Sequence, residues 1–223
     1  MAPRTGQPAL RLVGRDPAPT SVGDPGALDL DLDLDRALAR RLRAGDQGAR
    51  GDLHDRFHGL VHRLLLRTLG GGPDHEDRVQ EAFLEVLRSL PSLRDEGALR
   101  PWLTTITVRV ARAELRRRRL RRLFFREPEE APPELSTEDD PAARAALRAT
   151  WGVLSRLPVE ERLAFTLRYL HGEELTAGAQ ALGCSLATYK RRLVKAEARF
   201  LALGIRDPEV APWLAASERW RRP

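Results

Sequence analysis

Nine arginines lie between positions 109 and 126, and a single acidic residue, Glu114, accompanies them. Arginines that recur at every helical turn can contact successive phosphates of a nucleic acid, and each neutralised phosphate releases a counterion. The spacing therefore indicates nucleic-acid binding, with a solvated helix face as the alternative. A helix over residues 101–122 would place five polar side chains on one face: Thr105, Arg109, Arg112, Arg116 and Arg119.

Trp102 precedes this basic face by less than one helical turn. Its flat ring is suited to stacking on an unpaired base. The same residue also begins an apolar stripe that continues through Leu103, Ile106, Val110 and Ala113. Stripes at this spacing face a core, so packing is the alternative role for Trp102.

A second basic helix follows a turn near position 183. Residues 174–182 have a helical pattern, Gly183 suits the left-handed position after a helix, and Ser185 is a good N-cap for the next one. In a helix-turn-helix the second helix enters the major groove, where Arg and Lys read guanine and Thr contacts the thymine methyl group. The one-sided charge disfavours the alternative, a generic helical hairpin. The polar face of this helix carries Thr188, Arg191, Arg192, Lys195 and Arg199.

The helix predicted over residues 74–90 has an acidic face with an apolar centre. Its apolar positions 79, 83, 86, 87 and 90 share one side, which we assign to the core. An exposed leucine is ordinary, but one ringed by acidic residues is also typical of a protein-docking patch. This segment alone does not decide between a docking patch and a solvated helix face. The opposite side carries Asp77, Gln80, Glu81, Glu85 and Arg88 around Leu84.

No residues in the chain match a catalytic motif of the GxSxG, P-loop or GxGxxG type. His54, His58 and His62 recur at intervals of four and could pair on a metal ion, but no HExxH-type carboxylate accompanies them. We therefore expect no catalytic residues, no metal site and no cofactor. Cys184 is the single cysteine, and we interpret it as a structural residue of the turn.

The composition favours a helical protein of the cytoplasm. The 38 basic and 32 acidic residues give a net charge of +6. Only Lys190 and Lys195 are lysines, and a GC-rich genome favours arginine, so the total charge is weak evidence by itself. Leu, Ala, Arg and Glu dominate, and these are helix formers. No apolar run of about 18 residues occurs, so we expect no membrane insertion, and no signal core occurs, so we expect no export.

Changes in composition divide the chain into five segments. We expect residues 1–34 to be a disordered extension, with a helix lead-in as the alternative for its Leu-Asp alternation at 28–35. Residues 123–142 form a linker, and its centre (127–140) holds seven acidic residues, three prolines and no basic residue. The predicted fold is all-α, with small helical domains over 35–122 and 143–205 joined by this acidic flexible linker. Residues 206–223 are predicted to be a tail.

Together the motifs resemble the extracytoplasmic-function (ECF) group of bacterial RNA polymerase sigma factors, in the sigma-70 family. Residues 77–83 (DRVQEAF), residues 102–106 (WLTTI) and the arginine run from Arg116 resemble its region 2, a helical bundle. Further residues resemble the helix-turn-helix of its region 4: 157–158 (LP), Arg162, 167–172 (LRYLHG), 181–185 (ALGCS) and 188–193 (TYKRRL). The likeness covers about residues 35–203, with the linker in the expected place.

The resemblance implies a factor that binds core RNA polymerase and directs promoter recognition, DNA melting and transcription initiation. It implies an acidic linker that threads the polymerase cleft, and an anti-sigma factor as a further partner. Its polymerase-binding residues would be Asp77, Gln80, Glu81, Leu84 and Glu85. Its contacts to the single-stranded minus-10 element would be Trp102, Thr105, Arg109, Arg112, Arg116 and Arg119. Its contacts to the double-stranded minus-35 element would be Thr188, Lys190, Arg191, Arg192, Lys195 and Arg199.

The chain departs from the family pattern at four positions. Arg109 stands where Asn is common, Ala113 where Asp is common, Ala177 replaces an acid and Gly178 replaces an aliphatic residue. Two other classes of function compete: a helix-turn-helix regulator that acts without polymerase, and a histidine-based metalloenzyme. The face around Leu84 argues against the regulator, which has no use for a docking patch. A metal assay on purified protein would test for the metalloenzyme.

Overall fold

The computed structural model of the chain describes residues 25–125 and 141–217, and within these ranges all regular structure is helical. The all-α prediction is therefore confirmed. The first range holds α1 (Pro25–Arg43), α2 (Gly48–Leu69), α3 (His75–Ser89) and α4 (Leu99–Phe125), with 3-10 helices at Leu90–Ser92 and Glu96–Ala98. The second range holds α5 (Pro141–Ser155), α6 (Val159–Phe165), a π-helical turn (Thr166–Leu170), α7 (Leu175–Ala181), α8 (Leu186–Gly204) and α9 (Ala211–Ala216).

Helices α1 to α4 pack into one bundle, the first unit. Apolar residues at intervals of three and four give each helix one buried stripe, and these stripes meet in a common core. Helix α4 is the central element, because it contacts α1, α2 and α3 in this unit as well as α6 and α7 in the second. Phe57, Val79, Leu103 and Ile106 are among the buried side chains of this core.

Helix α1 begins at Pro25, inside the segment 1–34 for which the sequence predicts disorder. That prediction is wrong for residues 25–34, and residues 1–24 lie outside the described ranges. Aspartates four positions apart share a helix face. Arg56 of α2 binds that face through Asp31 (3.1 Å) and the buried Asp35. These ion pairs anchor a helix whose Leu-Asp alternation also suited a strand.

Helices α5 to α9 form the second unit, with a core that includes Trp151, Phe165 and Phe200. Its last helix, α9, corrects the prediction that residues 206–223 are a tail: residues 206–217 belong to the unit, and 218–223 lie outside the described ranges. Val210 and Leu214 are buried against α8 and bind this segment to the core. A single apolar turn of this kind is too short to give a clear helical period.

The linker between the units is shorter than predicted. Helix α4 runs through Phe125 and α5 begins at Pro141, so positions 123–125 and 141–142 are helical rather than linker. The acidic residues 126–140 lie outside the described ranges, and the linker prediction for them stays a prediction. Within the described residues, no helix is both long enough and apolar enough to cross a bilayer.

The two units pack against each other along α4. The buried cluster of the first unit continues into Leu163, Leu167, Ala181 and Leu182 of the second. Arg67 of α2 also donates a hydrogen bond to the backbone carbonyl of Leu170. The structure is therefore a closed arrangement in which the second unit covers one side of the bundle.

Helices α7 and α8 form the predicted helix-turn-helix. Gly183 has φ +61°, a conformation that glycine adopts without strain. The Ser185 hydroxyl accepts a hydrogen bond of 3.2 Å from the Thr188 backbone N–H, as expected of an N-cap. Both turn predictions are confirmed.

Gly178 departs from the family pattern because Tyr189 occupies the space that a side chain there would fill. A Cβ at position 178 would lie 2.4 Å from the Tyr189 hydroxyl oxygen. Tyr189 is fully buried and donates a hydrogen bond of 3.1 Å to the Ala164 carbonyl. The glycine of α7 and the large aromatic residue of α8 are therefore a compensating pair.

We expect Gly178→Ala to destabilise the chain by about 1–3 kcal/mol, because the added methyl group overpacks a full core. Gly152→Ala is the matched control: nothing lies within 4 Å of a Cβ at this helical position. Alanine there should stabilise by up to about 1 kcal/mol through helix propensity. Urea denaturation followed by circular dichroism measures both effects.

The same experiment in a Tyr189→Leu background tests the pairing itself. With the ring removed, Gly178→Ala should no longer destabilise the chain. An equal loss of stability in both backgrounds would show that Tyr189 is not the reason for the glycine.

Candidate functional site

The acidic face predicted on the 74–90 helix is exposed on α3. Val79, Phe83 and Val86 are buried in the bundle, which turns the opposite face outward. Leu84 stands at the centre of that face with 52% of its surface exposed. Asp77 and Gln80 are exposed beside it, while Glu81 and Glu85 are partly exposed. The structure therefore brings all five predicted docking residues together: Asp77, Gln80, Glu81, Leu84 and Glu85.

Helix α4 separates its arginines into two groups, because Glu114 is buried on one side of the helix. Arg118 donates to the Glu114 carboxylate at 2.8 Å, and Arg117, Arg121 and Arg78 of α3 lie within 3.4, 3.5 and 3.8 Å of it. The sequence analysis noted the single acid of this helix but not this ion-pair cluster. These arginines are held by Glu114 and are less available to a ligand.

Burial by itself would raise the pKa of Glu114. The hydrogen bond from Arg118 and the positive charges of Arg118, Arg117 and Arg78 outweigh burial and lower that pKa below its ordinary value. The carboxylate therefore stays ionised at neutral pH, and α3 and α4 are joined by a charged cluster rather than by a protonated acid.

The other side of α4 carries the predicted basic face. Arg109 and Arg119 are exposed, and Arg109 has no ion-pair partner within residues 25–125 and 141–217. Arg112 and Arg116 reach a carboxylate of the second unit, Glu160, at 3.2 and 3.0 Å. Burial lowers the pKa of Arg112, and the charge of Glu160 offsets part of that effect. The structure therefore aligns the four arginines, with the middle two in contact with protein.

Trp102 and Thr105 line a cleft between the two units. Trp102 is half-buried against the core and donates a hydrogen bond of 3.1 Å from Nε1 to Ser92 Oγ. The cleft encloses about 670 Å³, and the second unit closes it with residues that include His171 and Gln180. Burial, and then the charge of Arg67, lowers the pKa of His171 to about 3, so this imidazole is neutral at physiological pH.

The predicted base-reading residues of α8 also fall into two groups. Lys190, Arg191 and Lys195 are exposed, as a groove-reading surface requires. Arg192 is half-buried and pairs with Glu160 at 3.0 Å, and Arg199 binds both oxygens of Glu161 at 2.8 Å.

Thr188 is partly buried at the start of α8. Its hydroxyl shares hydrogen bonds with Ser185 (3.0 Å) and Arg191 (3.2 Å). The six predicted residues thus lie on one helix, but Thr188, Arg192 and Arg199 already have partners in this arrangement.

The three histidines of α2 form a column of rings that ends at His75 of α3. Ring centroids are 5.0 Å apart for His54 and His58, 5.7 Å for His58 and His62, and 4.7 Å for His62 and His75. Across the described ranges, no group of three or more His, Cys, Asp or Glu side chains has the geometry of a metal site. The column is a feature of the α2–α3 contact.

Glu160 is a residue of this site that the sequence does not predict. It lies in the first turn of α6 and contacts Arg112, Arg116 and Arg192 at once. No sequence signal marks it, because its partners are 32 to 48 positions away and only the packing of the units brings them together.

Each of the two units matches a known protein family. Residues 53–121 match the family Sigma-70 region 2, and residues 147–200 match the family Sigma-70, region 4. These matches coincide with the helical bundle and with the unit that carries the helix-turn-helix.

Curated relatives match most of the chain. The RNA polymerase sigma factor NccH of Alcaligenes xylosoxydans xylosoxydans is 32% identical over 179 residues, which cover 78% of this chain and 96% of NccH. The ECF RNA polymerase sigma factor SigM of Mycobacterium tuberculosis is 33% identical over 166 residues, covering 72% and 79%. A solved sigma factor, RpoE in complex with the anti-sigma factor NepR from Bartonella quintana, has a similar fold. Its TM-score is 0.53 at 20% identity, covering 68% of this chain and 96% of RpoE.

The Glu114 cluster leads to a stability prediction. Glu114→Gln should destabilise the chain by about 1–3 kcal/mol, because it removes the charge-assisted hydrogen bond to Arg118 and the counter-charge of the partly buried Arg78. The folded-state pKa of Glu114 is lowered, so its contribution is fully present above its ordinary value of 4.5 and is lost as pH falls through the folded-state pKa. The difference between wild type and variant should therefore be constant above about pH 5 and shrink in more acidic buffer.

Chemical denaturation across this pH range measures that difference. Glu174→Gln is the matched control, since its side chain is 79% exposed and its ion pair should contribute little. A Glu114→Gln variant as stable as the control at neutral pH would contradict the assignment.

Proposed function

This chain belongs to the ECF group of the sigma-70 family of RNA polymerase sigma factors, and from that premise we propose which of its surfaces carry each step of initiation. It binds core RNA polymerase and directs transcription initiation at promoters. The observation that carries the assignment is the bundle of α2 to α4, which exposes an acidic face with an apolar centre on α3 and a basic face on α4.

We assign polymerase binding to the α3 face around Leu84. An exposed leucine ringed by acidic and amide side chains has the composition of an interface centre with a polar rim. Glu81 pairs with Arg78 and Glu85 lies 3.9 Å from Arg88, while Asp77 and Gln80 are exposed beside Leu84. A basic, partly apolar helical surface of the polymerase would complement it.

We assign capture of the minus-10 element to α4 and the cleft at its start. Arg109, Arg112, Arg116 and Arg119 follow one side of the helix at the spacing of successive phosphates. Trp102 at the head of the same helix offers a ring on which an extruded base can stack. Positive charge that follows a strand, with an aromatic platform at one end, is suited to melted DNA.

We assign reading of the minus-35 element to α8. Lys190, Arg191 and Lys195 are exposed on the helix that follows the Gly183 turn, where a recognition helix contacts base edges. Arg192 and Arg199 become part of this surface when DNA replaces their carboxylate partners, Glu160 and Glu161. The acidic linker would span the polymerase between the two elements.

The remaining assignments follow from the same premise. The chain acts without a catalytic residue or cofactor of its own, in the cytoplasm, where polymerase and promoter DNA are found. An anti-sigma factor is a further partner, as NepR is for the RpoE of Bartonella quintana. A helix-turn-helix regulator that acts without polymerase is the weaker alternative, because it would leave the α3 face unused.

Leu84→Arg should abolish binding to core polymerase while the chain stays folded, since a change on an exposed face costs under about 0.5 kcal/mol of stability. Co-purification with core polymerase is the measurement. Leu30→Arg is the matched control, because Leu30 is similarly exposed (62%) but lies on α1. The docking assignment fails if the Leu84 variant binds polymerase as well as the control does.

Arg109→Asn should shift the preferred minus-10 base without weakening polymerase binding. Its guanidinium is exposed, has no described ion-pair partner, and can stack on a base or bond its edge, whereas Asn offers only a small amide. Transcription by the reconstituted holoenzyme from a minus-10 library measures the preference. Unchanged preference with uniformly lower output would assign Arg109 to the phosphates instead.

A further inference from the structure

Helix α8 carries an exposed apolar side chain on the side that points away from the core. Four of its buried residues define the side that faces the core: Tyr189, Leu193, Ala196 and Phe200. On a helix of 3.6 residues per turn, the opposite direction is held by four exposed residues: Ala187, Arg191, Val194 and Ala198. Val194 is 64% exposed, more than any other large apolar side chain of α8.

The fold gives no use to a valine at this position. A single exposed apolar residue is ordinary on a protein surface. Valine is, however, a weaker helix former than alanine, lysine or arginine, so Val194 supports neither the core nor the helix. Its neighbours on the exposed surface are cations: Lys190 and Arg191 one turn earlier, and Lys195 beside it. Val194 is therefore an apolar spot inside the basic surface to which we assign the minus-35 element.

The major groove of DNA offers an apolar partner for such a spot. Thymine presents its C5-methyl group there, whereas guanine presents two acceptors that suit lysine and arginine. A valine side chain in contact with the thymine methyl group removes apolar surface of both groups from water. Cytosine lacks the methyl group, so the contact distinguishes the two pyrimidines.

Thr188 is the residue of α8 for which the sequence suggests this contact, and the structure makes it the weaker candidate. It is partly buried, and its hydroxyl is held at 3.0 Å from Ser185 Oγ and 3.2 Å from the Arg191 guanidinium. Those hydrogen bonds fix Thr188 in the cap of α8. Val194 has no such role in the turn.

We infer that Val194 is a specificity-determining residue that contacts a thymine methyl group in the minus-35 element. The inference rests on the proposed role of α8. Lys190 and Arg191 precede Val194 by one turn, which is about 5 Å along the helix axis. Base pairs are spaced by about 3.4 Å. The thymine therefore lies within about one or two base pairs of the bases that Lys190 and Arg191 contact.

The test uses holoenzyme reconstituted from core RNA polymerase and the full chain. A library randomised over the minus-35 element first gives the preferred sequence. Each thymine of that sequence is then replaced in turn by deoxyuridine, which removes the methyl group and keeps the base pair. At one thymine this replacement should lower promoter affinity about fourfold, the effect of losing the burial of about one methyl group.

Three variants identify the side chain that makes the contact. Val194→Ala lacks the two γ-methyl groups and should bind the thymine and deoxyuridine promoters equally at that position. Ile205→Ala is the matched control, because Ile205 is similarly exposed (61%) but lies at the C-terminal end of α8. Thr188→Ser removes the methyl group of the alternative residue and keeps its hydroxyl. The control and Thr188→Ser should both keep the fourfold difference.

A preferred sequence without thymine, or equal binding of every deoxyuridine promoter by the wild type, would overturn the inference, since no methyl group would be read. A difference that survives in Val194→Ala or disappears in Thr188→Ser would also overturn it, because another side chain would then contact the thymine. Either result leaves the proposed role of α8 intact. A library that yields no preferred minus-35 sequence would instead overturn that role, and the inference with it.

Discussion

The ion pairs of the buried Glu114 carboxylate are the interaction on which the packing of α4 depends. A helix that carries many arginines and also fills the centre of a bundle must compensate part of that charge inside the protein. Glu114 does so for Arg117, Arg118, Arg121 and Arg78, all on the side that faces the bundle. Arg109, Arg112, Arg116 and Arg119 stand on the opposite side. One acid thereby separates a structural face of the helix from the face to which we assign DNA binding.

The bundle built around α4 also orients α3. Because the apolar stripes of both helices meet in the core, the acidic face of α3 and the basic face of α4 point outward from one packed body. Packed helices hold such surfaces more firmly than loops can. The two faces to which we assign polymerase and promoter strand therefore belong to one rigid unit, as a factor that couples the two requires.

The second unit also pairs side chains of the helix-turn-helix with compensating partners. Tyr189 fills the space beneath α7 that an aliphatic residue of the helix-turn-helix usually fills, and Gly178 makes room for it. In the same unit Arg199 is held by Glu161 and Arg192 by Glu160. The basic character of α8 is therefore partly compensated by carboxylates of the same unit.

The helical class, the division into two units, the turn at Gly183 and the faces of α3, α4 and α8 can all be predicted from the sequence, because each depends on local periodicity and capping. Prediction from the sequence failed where stability comes from distant partners: α1 is anchored through Arg56 to Asp31 and Asp35, and α9 through Val210 and Leu214. Which arginines of α4 pair with carboxylates, and that Glu160 joins the units, follows from the packing of the helices. Those outcomes depend on charges that lie far apart in the chain and meet only when the helices pack.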